Sequence, residues 1–148
     1  MLQRVSRASV TVDAAVVAEI GHGLCLLVGI ETGDGDEQVE AAVAKLSGLR
    51  VFADQDGRMN RSVGDVGGEI LVISQFTLLG DATRGRRPSF TAAADPEGAA
   101  PLVDRMADGF RAMGIPTSTG VFGAKMTVEL VNDGPVTLVL EFAPPIRD

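Results

Sequence analysis

Three polar segments interrupt an otherwise apolar, glycine-punctuated chain. Ser74-Gln75-Phe76-Thr77-Leu78 follows a buried-looking run, and Arg84-Gly85-Arg86-Arg87-Pro88-Ser89-Phe90 comes shortly after it. The third, Gly120-Val121-Phe122-Gly123-Ala124-Lys125-Met126, leads on to Val131-Asn132-Asp133-Gly134-Pro135-Val136-Thr137. The hydroxyls of Ser74 and Thr77 are nucleophiles only if a base lies beside them. The arginines offer planar donors suited to phosphate. Taken singly, each segment reads as a turn or a strand end that satisfies its own backbone.

The standard catalytic sets find little material here. His22 and Cys25 are the only residues of their kinds. His22 lies in a glycine turn, where a surface role is the default, and Cys25 lies in an apolar strand, where it reads as core. One of each is too few for a His/Cys zinc site within one chain, and nothing supports a Ser-His-Asp triad through His22. No phosphate-binding glycine motif occurs. Glu129 and Asp133 read as a solvated strand face and turn chemistry. Lys125 is a remote candidate base. No metal and no cofactor is expected.

The 148 residues suit one domain, 1–148, with 45% hydrophobic and 22% charged residues, an ordinary globular balance. A net charge of −7 argues against a protein that coats nucleic acid indiscriminately. It leaves room for a local grip through Arg84 to Arg87, although a solvated loop is the plainer reading. No apolar run is long enough for a membrane span, and the first residues lack a signal peptide's apolar stretch. A lone cysteine allows no internal disulfide. The expectation is a cytoplasmic protein.

The elements that position these segments are short strands and two helices. Strands are expected at Arg4–Val12, Val16–Ile20 and Leu24–Ile30, with Gly21-His22-Gly23 as a hairpin turn between the last two. Asp36–Leu49 carries Val39, Val43 and Leu46 at helical spacing. Strands follow near 50–53, 59–63 and 69–74. The second helix has Asp95 as N-cap, Pro96 in its first turn and Gly114 as its stop. Its stripe is Leu102, Val103, Met106, Phe110 and Met113. Strands near 118–121, 125–131 and 136–142 close the chain, the last two joined by Asn132-Asp133-Gly134-Pro135. The fold class is α/β: a single domain with a mixed, largely antiparallel sheet and two main helices. The strand-rich ends argue against a Rossmann-type arrangement.

Together the segments resemble the D-aminoacyl-tRNA deacylase family over nearly the whole chain. The resemblance is carried by Gln3-Arg4-Val5 with Ala8 to Asp13, Asp65 to Glu69, Ser-Gln-Phe-Thr-Leu, Gly85 to Phe90, Phe122-Gly123-Ala124 and Leu130 to Thr137. It implies that family's fold and a homodimeric hydrolase that cleaves the ester of D-aminoacyl-tRNA, a proofreading step in translation. By similarity Ser74, Gln75, Phe76 and Thr77 are the catalytic segment, with the Phe76 and Thr77 N–H groups as oxyanion donors. The terminal ribose 2′-OH of the tRNA assists in place of a side-chain base. Gly134-Pro135 would be cis and would enter the partner subunit's pocket, where its carbonyls capture the substrate amine and exclude an L side chain. Ala99, Phe122, Met126 and Gln75 would line that pocket, with Arg86 and Arg87 on RNA phosphates. Glycyl-tRNA, such as glycine mischarged on tRNA(Ala), is an implied second substrate. Competing readings are a non-catalytic tRNA-binding protein on the same scaffold and a hydrolase of small esters.

Overall fold

In the computed structural model, which describes residues 1–143, the first half of the chain runs β1 (Leu2–Val12), β2 (Ala15–Ile20), β3 (Gly23–Val28), α1 (Asp36–Gly48), β4 (Phe52–Ala53), β5 (Met59–Arg61) and β6 (Glu69–Ser74). A short 3₁₀ turn (Phe76–Leu79), α2 (Pro96–Ala112), β7 (Thr117–Thr119) and β8 (Thr127–Leu138) follow. The last five residues of the single domain expected from the sequence lie outside the described residues. The main sheet has the order β2-β1-β3-β6-β7, with β8 on the other side of β1. β1 pairs antiparallel with β2, β3 and β8, whereas β3–β6 and β6–β7 are parallel. The sheet is therefore mixed, with three parallel strands at its centre and one end.

β3 and β6 are buried on both faces, which explains their unbroken apolar sequences. Leu24, Leu26, Ile70 and Val72 meet the helices, together with Val39, Val43 and Leu46 of α1 and Val103, Met106 and Phe110 of α2. Cys25, Leu71 and Ile73 face the other way, against Val5, Ala8 and Val10 of β1 and Ala18 and Ile20 of β2. The sheet coils so far that β2 touches β6 and β7, which are not its neighbours in the hydrogen-bonded order. In α2 Met113 is exposed at the helix end, so it falls outside the buried stripe assigned from spacing. Asp95 caps α2 by accepting the Gly98 N–H at 2.8 Å, as its side chain and the following Pro96 predict.

Two turn assignments from the sequence are corrected. Gly21-His22-Gly23 is not a hairpin turn. β2 and β3 do not pair; they lie end to end along one side of β1, from Ile20 opposite Ala8 to Gly23 opposite Val5. The real hairpin joins β1 to β2 through Asp13 and Ala14, both at positive φ (49° and 64°). Two successive left-handed residues suit a two-residue hairpin, but alanine there is uncommon, so the sequence carried no Asn-Gly or Asp-Gly signal. Likewise Asn132-Asp133-Gly134-Pro135 does not join two strands. β8 is one strand, and these residues make an excursion from it. Gln3 faces Thr137 and Val5 faces Asn132, so Arg4 stands opposite the extra residues between.

Candidate functional site

The chain leaves the sheet at Ser74 and turns at once. Gln75 N–H still donates to Val28 O at 2.8 Å, Leu78 N–H donates to Gln75 O at 3.2 Å, and Gly80 N–H donates to Thr77 O at 3.0 Å. The Phe76 and Thr77 N–H groups, first in the turn, have no acceptor among the described residues. Helical turns leave their first donors free in this way. The Gln75 side-chain amide donates to Thr77 Oγ1. No carboxylate or imidazole hydrogen-bonds to either Ser74 or Thr77 among the described residues, so neither hydroxyl has a base beside it. Gly29, just past β3, lets the turn sit close. A Cβ there would collide with Leu79 and come within 3.3 Å of Gln75 O.

Beside this turn lies the segment that follows β7. Gly120 N–H donates to Val72 O at 3.0 Å, and half-buried Met126 packs over Gly120 and against the second-face core. Phe122 projects from the same segment with 37% of its surface exposed. The Ser74–Thr77 and Gly120–Met126 segments thus both lie beyond the carboxyl ends of adjacent parallel strands, the usual position for a ligand site in such sheets. Phe76, 56% exposed, meets the edge of Phe90 with centroids 5.2 Å apart. Reciprocal backbone bonds between Asp81 and Ser89, at 2.7 and 2.9 Å, close a loop at its neck. Arg84, Arg86 and Arg87 ride on that loop, exposed and without an ion-pair partner among the described residues. Ala99 lies apart from this surface, 7% exposed within the helix-side core. Exposed Lys125 makes no hydrogen bond to Ser74 or Thr77. A cavity of about 340 Å³ lies on the far side of the turn, sharing only Leu78 and Leu79 with it.

Gly134 and Pro135 are elsewhere. Their peptide bond is cis, as the resemblance implies, and Gly134 has φ +129°. Arg4, its side chain 13% exposed, holds the excursion. Its Nε donates to Asp133 O at 3.0 Å and its Nη1 to Val51 O at 2.6 Å. A Cβ on Gly134 would lie 3.1 Å from Arg4 Nη2 and from Val136. Thr137 Oγ1 donates to Gln3 Oε1 at 2.7 Å on the far side of the bulge. Arg4 is level with Leu24, which is level with Ile70, four residues before Ser74. At ordinary strand rise and spacing the excursion is on the order of 15–20 Å from the Phe76 turn of the same chain. One chain therefore gathers Ser74, Gln75, Phe76, Thr77, Phe122 and Met126 but leaves Gly134 and Pro135 remote from them.

Sequence reasoning missed the part played by Arg4. The usable signal was its register: Leu2 and Arg4 share a strand face, and an arginine beside a core position needs acceptors. His22 was missed for a different reason. Its partner, Asp133, lies over a hundred positions away and is brought to it only by the β1–β8 pairing.

A family model described as D-Tyr-tRNA(Tyr) deacylase matches residues 1–141. Relatives named D-aminoacyl-tRNA deacylase are 57% identical over 143 residues in Thermomicrobium roseum (97% of this chain, 93% of the relative) and in a Roseiflexus species (97% and 92%). A solved structure titled c-Myc DNA Unwinding Element Binding Protein is 41% identical with a TM-score of 0.89, covering 97% of both chains. Another, described as a probable eukaryotic D-amino acid tRNA deacylase, superposes with a TM-score of 0.74 at 20% identity, covering 90% of this chain and 93% of its own, a likeness of fold.

Proposed function

The chain belongs to the D-Tyr-tRNA(Tyr) deacylase family, hydrolases of D-aminoacyl-tRNA, and on that premise we propose how its two polar segments divide the work. Ser74 to Thr77 form the hydrolytic side. The aminoacyl ester carbonyl lies against the Phe76 and Thr77 N–H groups, which receive the negative charge as water adds. An aminoacyl ester is reactive, so about 10⁶-fold acceleration needs only about 8 kcal/mol of transition-state stabilisation. Oxyanion donors contribute about 3–4 kcal/mol each, and positioning supplies the remainder. The free donors of the turn are the observation that carries this assignment. The absence of a base beside Ser74 or Thr77, among the described residues, favours the substrate's own ribose 2′-OH as the assisting group. Phe122 and Met126 flank the terminal adenosine, Gln75 backs the wall, and Arg86 and Arg87 meet phosphates of the acceptor end; Ala99, within the helix-side core, has no part in it.

Gly134 and Pro135 form the stereochemical side, acting on the pocket of a second copy in a homodimer. Discrimination of about 10⁴ requires about 5.5 kcal/mol, more than favourable contacts to one small side chain supply. Backbone carbonyls that occupy the place of an L side chain supply it by exclusion. Their distance from the turn of their own chain, and their exposure on a strand that among the described residues is paired on one side only, support a role in trans. Glycine, having no side chain to exclude, passes the same gate, so glycyl-tRNA is a second substrate. A cytoplasmic location fits a substrate made during translation; among the described residues no helix is long and apolar enough to cross a membrane.

The test is deacylation of matched D- and L-aminoacyl-tRNA carrying a terminal 2′-OH or 2′-deoxy ribose. The reading requires cleavage of the D ester, survival of the L ester, and a marked loss of rate without the hydroxyl. Equal cleavage of both enantiomers contradicts the gate, and an unchanged rate on the deoxy substrate contradicts the assistance.

A further inference from the structure

The chain's only histidine takes no part in the chemistry assigned to either segment, yet its ring lies against the loop that forms the gate. His22 sits at the kink between β2 and β3, where its carbonyl accepts the Glu69 N–H at 3.1 Å. Its imidazole stands edge-on to buried Phe52, with ring centroids 5.1 Å apart and planes at 90°. That packing turns Nε2 toward the excursion of β8, 3.5 Å from Asp133 Oδ2. The carboxylate of nearby Glu69 accepts the Gly21 N–H at 2.7 Å. The same Asp133 oxygen is 3.4 Å from Arg4 Nε.

Asp133 is thereby approached on both sides of its Cα–C bond, by a hydrogen bond at its carbonyl and by charge contacts at its carboxylate. Arg4 holds the carbonyl, which fixes the plane of the peptide leading into Gly134. The carboxylate lies between Arg4 and His22 at 3.4 and 3.5 Å, longer than hydrogen bonds, and attraction there biases the other end of that rotation. Holding the carbonyl alone leaves the side chain free to swing and the peptide plane free to rock with it. Holding both sets the direction in which Gly134 and Pro135 project.

We propose that His22 is a positioning residue for chirality discrimination, acting through Asp133 to fix the orientation of Gly134 and Pro135. The inference rests on the reading of those two residues as the stereochemical gate. It needs the positive end of an Nε2–H facing the carboxylate, which imidazolium and the Nε2–H tautomer both present. The pair is about half exposed, so its effect is modest. A gate that works by steric exclusion nevertheless converts small displacements into leakage of the wrong enantiomer.

The experiment measures kcat/KM for D- and L-aminoacyl esters on the same tRNA, with wild type, His22→Leu and His22→Gln side by side. Leucine keeps an apolar contact with Phe52 but donates nothing, whereas glutamine restores a side-chain N–H. His22→Leu should lower the D-to-L ratio by about twofold to fivefold, the range for an exposed pair, through faster cleavage of the L ester. His22→Gln should return it toward wild type. In an Asp133→Ala background, His22→Leu should have no further effect. A ratio in His22→Leu within about 1.5-fold of wild type overturns the proposal, as does an equal loss in His22→Gln or full additivity with Asp133→Ala. The parent reading fails separately: wild-type protein that does not discriminate overturns both, whereas discrimination unaffected by His22→Leu overturns only this one.

Discussion

The two ends of the sheet are built on opposite terms. The Ser74–Thr77 turn grows from β6, a strand covered on both faces, and it offers donors that the backbone leaves free. The Gly134–Pro135 excursion interrupts β8, a strand that among the described residues pairs only with β1, and it is held from outside by the side chain of Arg4, with His22 beside it. One end is rigid because of what it is packed in, the other because of what grips it. Chemistry that needs N–H groups fixed within a fraction of an ångström suits the first. A steric gate offered to another molecule suits the second, because an edge strand can project what a central strand cannot.

This contrast predicts different kinds of damage. The largest effect belongs to Phe76→Pro. Proline suits the first position of a helical turn, and Gln75, at φ −142° and ψ 79°, is outside the helical region that a following proline disfavours, so the fold should hold while one donor vanishes. The kcat for the D ester should fall about 10²–10³-fold, and Phe76→Ala, which keeps the N–H, should lose far less. Equal losses in the two variants would mean the phenyl ring matters and the donor does not.

Gly134→Ala should come next, and in a different observable. Its φ of +129° is strained for any L residue, at about 1–3 kcal/mol. The Cβ would also crowd Arg4 and Val136. We expect the D-to-L ratio to fall about tenfold to a hundredfold, with the D rate changing much less. A proportional loss of both rates would move Gly134 from the gate to the hydrolytic side.

Arg4→Ala sharpens the comparison by removing the grip without touching the gate. Urea unfolding should show a loss of about 2–3 kcal/mol, since charged donors to two carbonyls disappear, and the D-to-L ratio should fall as well. Stability lost with selectivity intact would show that the excursion holds itself. The smallest effect is expected from Arg86→Ala and Arg87→Ala. Each should raise KM slightly and make tRNA binding less sensitive to salt, the log–log slope falling by about 0.7–0.9 for each phosphate no longer neutralised. An unchanged slope would leave these arginines as solvated surface.

Much of the hydrolytic end was legible in the sequence, because its determinants are local. The apolar run 69–74, the polar residues after it and the Asp95-Pro96 start of α2 each declare themselves within a few positions. Ala99 was legible only as a helix residue; its burial in the core depends on how α2 meets the sheet. The proposed gate was legible as a motif but not as a structure. Asn132 to Pro135 read as a connection between strands because no local rule distinguishes a turn from an excursion within one strand. That distinction is set by β1, whose residues face β8 on both sides of the bulge. The hairpin placed at Gly21 to Gly23 failed for the same reason: glycine marks a break in direction, and only pairing with β1 shows that the strand resumes along the same line.

The central claim is that one copy's excursion completes another copy's turn. Co-refolding Gly134→Ala chains with an excess of Phe76→Pro chains, distinguished by separate tags, tests it most directly. In a mixed pair, the Gly134→Ala chain contributes an intact turn and receives an intact excursion from its partner, while the reciprocal site is disabled. L-ester cleavage per Gly134→Ala chain should therefore fall toward the wild-type level while D-ester cleavage persists. L-ester cleavage that stays as high in mixed pairs as in Gly134→Ala alone would show that each excursion serves its own chain, and would contradict the account.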